Sequence, residues 1–182
     1  MAVIVSKFLE RMRVSAALPY IHGSVLDLGC GYGAILSRLT PKEYVGIEAD
    51  PTVFRWLKKT YPNHTFLQRD LDTDQLELNQ AFDTVVMLAV IEHLKRPENI
   101  LQQISTYLKP GGKLVLTTPS PIGDQIHQIG ARVGIFSKLA MDDHETIFNQ
   151  KTLTALAANH QLAPVVFRRF LLGGNQLFVF KR

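Results

Sequence analysis

A glycine-rich turn with an acidic residue before it is the strongest chemical signal in the sequence. Asp27 precedes Gly29, Gly31 and Gly33 in a segment that runs from an apolar strand-like stretch into the turn. Glycines adopt positive φ and let a ligand approach the backbone closely, which suits a nucleoside-bearing cofactor at the switch point of a parallel sheet. The carboxylate of Asp27 would repel a pyrophosphate and would suit a cofactor that carries a cationic ammonium group. The alternative is a plain tight turn between a strand and a helix.

A second acidic residue follows the next strand-like stretch. Glu48 ends the segment Val45-Gly46-Ile47-Glu48, 19 positions after Gly29. An acid at this place in a nucleotide-binding sheet accepts hydrogen bonds from ribose hydroxyls, at an expected distance of about 20 positions. Asp50 precedes Pro51 and is placed to cap the following helix. We therefore expect Glu48 to bind the ribose and Asp50 to cap the helix.

Two histidines are candidates for acid–base chemistry. His93 follows Glu92 just after a buried strand, and His144 lies in an acidic segment, Asp142-Asp143-His144-Glu145. An imidazole with a pKa near neutrality can take a proton from a substrate hydroxyl. Alternatively, Glu92 and His93 orient the loop by hydrogen bonding, and the acidic segment around His144 is a solvated turn that caps the next helix. We predict His93 as the base, with His144 as the competitor.

Strand-like and helix-like segments alternate along the chain, which predicts an α/β fold with helices on both faces of the sheet. Two closely spaced strands at the end must form an antiparallel hairpin, since a parallel pair needs a long crossover. The prediction is a Rossmann-like, seven-stranded mixed sheet with a C-terminal antiparallel hairpin. The predicted strands are residues 24–28, 44–47, 64–67, 82–88, 113–118, 163–170 and 175–180; the predicted helices are 3–17, 34–39, one that begins at Pro51, 98–108 and 152–159.

The 182 residues fit one domain. We expect a single unit over residues 1–182, with an N-terminal helix in residues 1–20. Residues 119–150 interrupt the alternation of strands and helices and contain several prolines and glycines. A connection of this length is often functional, and its apolar residues beside Arg132 and Lys138 predict a lid on the substrate side. The alternative is a helix packed on the edge of the sheet.

These motifs, in this order, resemble the class I S-adenosylmethionine-dependent methyltransferases. The resemblance covers about residues 25–118 and rests on the segments VLDLGCGYG, VGIEAD, QRDL, FDTVVML with IEHL, and LKPGG. It implies that S-adenosylmethionine is the cofactor. It also implies that Asp70 and the backbone amide of Leu71 contact the adenine. The cofactor-binding residues it implies are Asp27, Gly29, Gly31, Gly33, Glu48, Ala49, Asp70, Leu71 and Leu88.

Within that family the sequence is similar to the ubiquinone-biosynthesis-like O-methyltransferases and their relatives that act on small molecules or sugars. Those enzymes often carry Glu-x-x-Glu-His after strand four, and these side chains can hold a divalent metal. Here the first position is Ala89, so only Glu92 and His93 remain and we predict no metal. The chain also has Met87-Leu88-Ala89-Val90 where methyltransferases of nucleobase amines have Asn/Asp-Pro-Pro-Tyr/Phe. We therefore expect a small-molecule, sugar or lipid-like acceptor and no nucleic-acid partner.

Composition bears on where the protein is located and on whether it contacts a membrane. The net charge of +4 and the single cysteine, Cys30, are compatible with a cytoplasmic protein. We find no apolar stretch long enough to span a membrane, although residues 126–140 leave contact with a membrane surface open. An NAD(P)-dependent oxidoreductase on the same sheet is one alternative function, opposed by Asp27 and by the terminal hairpin. A module that binds the cofactor without chemistry is the other. The sequence leaves the oligomeric state open.

Overall fold

The computed structural model of the protein describes residues 2–123 and 145–182, with side chains from residue 6 onward. Short 3₁₀ turns follow the first helix, at Leu18–Tyr20, and the fourth strand, at Ile91–His93. The helices and strands in chain order are α1 Ala2–Ala17, β1 Ser24–Leu28, β2 Glu43–Glu48, α2 Pro51–Thr60, β3 Thr65–Gln68, β4 Phe82–Leu88, α3 Pro97–Tyr107, β5 Leu108–Pro119, α4 Gln150–Ala158, β6 Ala163–Phe170 and β7 Asn175–Lys181.

The seven strands form one sheet in the order β3-β2-β1-β4-β5-β7-β6. Strands β1 to β5 are parallel, and β7 runs antiparallel to both β5 and β6. This arrangement confirms the predicted mixed sheet and its C-terminal hairpin. The five parallel strands end at one side of the sheet, which we call the carboxyl edge, and begin at the other, which we call the amino edge.

Helices cover both faces of the sheet, as predicted. Side chains of α3 and α4, including Ile100 and Leu153, pack in one buried cluster with Val85 and Met87 of β4. Ala17 of α1 and Leu57 of α2 pack in a second cluster with Val86. Successive strand residues point to opposite faces, so the apolar run in β4 supplies both clusters. Burial on both faces explains why this strand is a continuous apolar sequence.

The predicted helix at residues 34–39 is wrong, because the chain forms consecutive turns there. The Leu39 amide donates to the Ile35 carbonyl at 2.9 Å and the Ser37 amide to the Gly33 carbonyl at 3.2 Å. A helix must fix several residues before its first hydrogen bond forms. The few residues between Gly33 and Pro41 are too short a stretch to extend it. The fifth strand begins earlier than predicted, at Leu108, because Leu108 pairs with Phe82 across a register shift.

The larger part of the predicted lid, residues 124–144, lies outside the described residues, and so does His144. The lid therefore stays a prediction. In the part of the chain that the structure does describe, no helix is both long enough and apolar enough to cross a membrane.

Candidate active site

A cavity of about 170 Å³ lies at the carboxyl edge, where β1 and β4 end. The turn after β1 forms its floor, and the N-terminal helix α1 contributes one wall. Its lining combines backbone from the glycine turn with charged side chains from two elements. The lining residues are Ser6, Glu10, Arg13, Val14, Asp27, Gly29, Cys30, Gly31, Ala34, Ile35, Leu88 and Ala89.

The three glycines of the turn have different roles. All have positive φ, at 68° for Gly29, 51° for Gly31 and 71° for Gly33. A Cβ on Gly29 would lie 2.6 Å from a methyl group of Val90, and a Cβ on Gly33 would lie 2.9 Å from the ring of Tyr61. A Cβ on Gly31 would meet no atom within 4 Å. Gly29 and Gly33 are thus needed for packing, whereas Gly31 borders open space in the cavity.

Glu48 holds the glycine turn against the start of α2. Its carboxylate accepts hydrogen bonds from the backbone amides of Gly31 and Asp50, both at 2.9 Å. The Asp50 side chain caps α2, as predicted, by accepting from the amides of Thr52 and Val53. Each oxygen of the Glu48 carboxylate accepts one hydrogen bond from a backbone amide and has a second lone pair that can accept a bond from a ligand.

Asp27 is a buried carboxyl group in the cavity wall, only 3% exposed. Burial, with a smaller contribution from the nearby Glu48, raises its pKa to about 7. The Tyr44 hydroxyl opposes this by donating a hydrogen bond to Asp27 at 2.7 Å. A cation in the cavity would favour the ionised form of Asp27. The site is therefore suited to bind a cationic group.

The remaining predicted cofactor residues divide into one that lines this cavity and three that do not, and Gly33 and Glu48 are also outside its lining. Leu88 lines it, whereas Ala49, Asp70 and Leu71 belong to the neighbouring ends of β2 and β3 and are outside the cavity lining. Asp70 is exposed, and its carboxylate accepts a hydrogen bond from the Asp72 amide at 2.8 Å. Leu71 is buried in the core. The four residues still share the carboxyl edge with Glu48.

The adjacent side chains of Glu92 and His93 differ in their exposure to solvent. His93 is exposed, whereas Glu92 is 1% exposed. Burial raises the pKa of Glu92, and the positive charge of Arg13 partly opposes this shift. The backbone carbonyl of Glu92 accepts hydrogen bonds from the amides of Glu145 and Thr146, at 2.9 and 3.2 Å. The turn thus anchors the far end of the 119–150 segment while it presents His93 at the surface.

Arg13 is the main functional candidate that the sequence did not single out. It lines the cavity, and its Nε donates to the Asn175 side chain at 3.1 Å. Burial lowers its pKa, while Glu92 and Glu10 oppose this change. The only sequence signal was a basic residue in the helix before β1. No spacing rule places such a residue over the carboxyl edge.

Ala89 was missed as a site residue because its sequence context suggested only the loss of a metal ligand. It lines the cavity with φ at 58°, a conformation that non-glycine residues rarely adopt. Its amide donates to the Thr117 carbonyl at 2.9 Å. Within residues 2–123 and 145–182, no three His, Cys, Asp or Glu side chains are grouped so that they could hold a metal ion.

The chain belongs to a family of methyltransferases. The family model described as "Methyltransferase domain" matches residues 5–166. Together with the fold and the solved relatives, this match identifies an S-adenosylmethionine-dependent methyltransferase of class I. The family match sets aside an oxidoreductase on the same sheet.

The most informative curated relatives are larger proteins. The chain is 37% identical over 109 residues to the tRNA U34 carboxymethyltransferase of Pseudoalteromonas atlantica, which covers 56% of this chain and 33% of that protein. It is 24% identical over 145 residues to the putative methyltransferase 235L of Invertebrate iridescent virus 6, covering 78% and 49%. The chain thus spans about a third of the length of the tRNA-named relative. That relative's name does not support our expectation of no nucleic-acid partner.

Solved structures share the fold at low sequence identity. An S-adenosylmethionine-dependent methyltransferase from Mesorhizobium loti has a TM-score of 0.74 at 18% identity, covering 96% of this chain and 98% of that one. Magnesium protoporphyrin IX methyltransferase from Synechocystis, solved with bound SAH, has a TM-score of 0.73 at 13% identity, covering 96% and 84%. A putative methyltransferase from Haloferax volcanii, solved in complex with the activator Trm112, has a TM-score of 0.74 at 15% identity, covering 94% and 86%.

The residues at the carboxyl edge fit S-adenosylmethionine. The space beside Gly31 gives a ligand access to the backbone, and the buried Asp27 offers a carboxyl group to an ammonium ion. Glu48 keeps acceptor positions at the point where ribose hydroxyls are expected. None of these three features depends on a phosphate, which is consistent with a cofactor that has none.

Proposed function

We propose that this methyltransferase transfers the methyl group of S-adenosylmethionine to a hydroxyl oxygen of a small acceptor, as the resemblance to the ubiquinone-biosynthesis-like enzymes implies. The observation that carries the proposal is the cavity at the carboxyl edge, where Asp27, Gly29 and Gly31 meet. It is about 170 Å³ in volume and is covered by α1, so the chemistry would take place in a small, partly enclosed space. Enclosure by α1 favours a compact acceptor.

The proposed cofactor-binding roles come from the resemblance and are supported by the contacts of Asp27, Gly31 and Glu48 described above. Asp27 binds the ammonium group, Gly29, Gly31 and Gly33 shape the turn, and Glu48 accepts the ribose hydroxyls. The adenine meets the Asp70 carboxylate and the Leu71 backbone amide, and Ala49 and Leu88 are further cofactor contacts. When bound, S-adenosylmethionine supplies an electrophilic methyl group on its sulfonium. The protein's part is to position it, to exclude water and to receive a proton.

His93 is the proposed proton acceptor. It follows β4 at the carboxyl edge, and its side chain is exposed. The imidazole would take the proton of the acceptor hydroxyl, and bound S-adenosylmethionine would supply the methyl group that the oxygen receives. His144 remains the competitor, and residues 119–150 remain the proposed lid on this side of the site.

The cofactor site is tested by calorimetric titration with S-adenosylhomocysteine. Glu48→Ala should weaken binding by roughly 10- to 100-fold, since a charge-assisted hydrogen bond contributes about 1.5–3 kcal/mol. Glu43→Ala is the matched control, because Glu43 is an exposed glutamate at the other end of β2. Equal affinities of the two variants would contradict the assignment of Glu48.

A second candidate acceptor is RNA, and the names of the tRNA U34 carboxymethyltransferases favour it. The two acceptor classes are separated by incubating the protein with S-adenosylmethionine labelled in its methyl group. One reaction contains a panel of hydroxylated small molecules, and the other contains bulk tRNA with and without ribonuclease. If the label enters tRNA and is lost on digestion with ribonuclease, RNA is the acceptor and the small-molecule proposal is wrong.

A further inference from the structure

Tyr44 is a buried side chain of β2 whose hydroxyl lies beside the cofactor cavity. It is 4% exposed and donates a hydrogen bond to one carboxylate oxygen of Asp27 at 2.7 Å. Asp27 lines the cavity, whereas Tyr44 is outside the lining. A ligand that pairs with Asp27 therefore meets a carboxyl group that is already bound to the protein behind it.

The register of β1 and β2 brings these two side chains together. Asp27 of β1 pairs with Gly46 of β2, two residues after Tyr44. Residues two apart on a strand point to the same face of the sheet, and paired residues on neighbouring strands do so as well. Tyr44 and Asp27 therefore lie on one face, and Gly46 places no side chain between them. The phenol ring reaches along the sheet to the carboxyl group.

Aromatic contacts fix the Tyr44 ring from the side of β3. The ring packs edge-on against His64 and Phe66, with ring centroids 5.6 and 5.9 Å apart. Phe66 belongs to β3, which lies on the other side of β2 from β1. Side chains in a close-packed interior are held in one arrangement. The Tyr44 hydroxyl is therefore preorganised as a donor to Asp27.

The charges around this hydrogen bond make the donor important. The other charged or titratable groups near Asp27 and Tyr44 come from β2, the glycine turn, α1 and the residue before β3: Glu48, Cys30, Glu10, Arg13 and His64. Burial, with a smaller contribution from Glu48, raises the pKa of Asp27, and the hydrogen bond from Tyr44 lowers it. Burial also raises the pKa values of the Cys30 thiol and the Tyr44 hydroxyl. Both therefore keep their protons near neutral pH, and Tyr44 remains a donor.

We propose that Tyr44 is a positioning residue of the cofactor site, which fixes the Asp27 carboxyl group and stabilises its negative charge for the ammonium group of S-adenosylmethionine. A carboxylate has about four acceptor positions on its two oxygens, so the bond from Tyr44 leaves others for the ligand. Tyr44 acts through Asp27, since it is outside the cavity lining. This role rests on the proposed function, in which Asp27 binds the ammonium group.

The experiment measures calorimetric affinity for two ligands from pH 6 to pH 9. S-Adenosylhomocysteine carries the ammonium group, and 5′-methylthioadenosine has the same nucleoside without the amino acid part. Tyr44→Phe removes the hydroxyl and keeps the ring. Tyr107→Phe is the matched control, because the Tyr107 hydroxyl also makes a hydrogen bond, accepting from the Leu78 amide at 3.2 Å. Tyr107 packs against the cluster on the opposite face of the sheet.

Tyr44→Phe should bind S-adenosylhomocysteine roughly 10- to 100-fold more weakly than wild type at pH 6, the size of losing a hydrogen bond to a charged group. Asp27 must lose its proton to pair with the ammonium group, and this is less favourable without the donor. At high pH Asp27 is ionised before the ligand binds, so the difference should shrink toward pH 9. Affinity for 5′-methylthioadenosine should stay within about twofold of wild type at every pH. Tyr107→Phe should match wild type with both ligands.

Each contrary outcome addresses one proposal. Failure of the wild-type protein to bind S-adenosylhomocysteine, or full affinity in Asp27→Asn, would contradict the proposed function and the role of Asp27 in it. If Asp27→Asn binds weakly but Tyr44→Phe equals wild type across the pH range, the role of Tyr44 alone is wrong. A loss in Tyr44→Phe that is the same at every pH, or the same for both ligands, would also overturn it, because a merely structural role gives those results.

If Tyr44→Phe fails to fold, the protein with 3-fluorotyrosine at position 44 decides the question. Fluorine makes the phenol a stronger hydrogen-bond donor with little change in size. The pH dependence of S-adenosylhomocysteine binding should therefore move to lower pH, with tighter binding at pH 6 and no change at pH 9. Unchanged or weaker binding at pH 6 would overturn the role of Tyr44.

Discussion

Buried or partly buried carboxyl groups at the two edges of the sheet have pKa values shifted in opposite directions. At the amino edge, Asp83 accepts hydrogen bonds from the Ser24 amide and hydroxyl, both at 2.8 Å, and from the Lys109 ammonium at 2.9 Å. These donors hold the pKa of Asp83 well below its usual range. At the carboxyl edge, Asp27 has one donor, Tyr44, and burial raises its pKa to about 7.

The difference shows where the protein uses charge for folding and where it keeps charge for ligands. Asp83 and Lys109 tie β1, β4 and β5 together at the end of the sheet that lies away from the cavity. Asp27 and Glu92 are less stable as carboxylates in the protein alone, and both lie at the carboxyl edge, where the cofactor is proposed to bind. Functional sites commonly carry such unfavourable groups because a ligand compensates them.

The largest expected effect concerns the chemistry at the carboxyl edge. His93→Ala should lower turnover with a validated acceptor by about 10²–10⁴-fold, the usual size for loss of a general base. Because His93 is exposed, affinity for S-adenosylhomocysteine and thermal stability should survive. The variant is compared with His144→Ala in turnover and in calorimetric binding. Full turnover of His93→Ala would refute its role, and loss only in His144→Ala would move the base to the 119–150 segment.

Asp27 should make stability fall as pH rises. Its pKa in the folded protein is about 7, against about 3.9 in an unfolded chain. The folded state therefore binds more protons than the unfolded state between about pH 4 and pH 7, and stability decreases over that window. Asp27→Asn should remove this dependence and increase stability at pH 8 by a few kcal/mol. Urea unfolding at pH 5 and pH 8 measures it; equal gains at both pH values would contradict the assignment.

Gly31→Leu should separate cofactor binding from folding. A Cβ at Gly31 would meet no protein atom within 4 Å, so a leucine there should extend into ligand space and weaken S-adenosylhomocysteine binding at least tenfold, about 1.4 kcal/mol. Gly173→Leu is the matched control, since Gly173 also has positive φ and open surroundings but lies in the β6–β7 turn. Leu171 and Leu172 adopt φ of 52° and 54°, close to the 51° of Gly31, whereas Gly173 is at 87°; the free energy of unfolding of both variants is therefore measured beside binding. Equal binding by both variants would exclude Gly31 from the site.

The smallest expected effect is at the amino edge. Asp83→Asn should cost about 1 kcal/mol of stability near neutral pH, since it weakens charge-assisted hydrogen bonds that are partly exposed to water. A carboxyl with a lowered pKa stabilises the fold above about pH 4 and loses this effect as pH falls. The difference between Asp83→Asn and wild type should therefore shrink from pH 7 to pH 3, opposite in sign to Asp27. Cofactor affinity should not change.

The positions of the strands along the chain were predictable from the sequence because their signals are local. The apolar run of β4 and the short linker between β6 and β7 each allow one arrangement of the chain. The helix predicted at residues 34–39 failed because local apolar spacing could not show that Gly33 and Pro41 leave too few residues for a stable helix. Bounds elsewhere moved by only a few residues, as they do when tertiary pairing extends a strand.

The sequence by itself determined the glycine turn, the acids at positions 27 and 48 and the cap at Asp50, because these features depend on residues close together in the chain. Only the tertiary structure decided that Glu48 accepts hydrogen bonds from the glycine turn and from the start of α2. It also decided that His93 is exposed while Glu92 is buried, and that Arg13 lines the cavity. Arg13 and Asn175 are 162 positions apart, and their contact depends on how α1 packs over β5 and β7. Packing over such separations follows from burial of the whole core, which no local pattern in the sequence encodes.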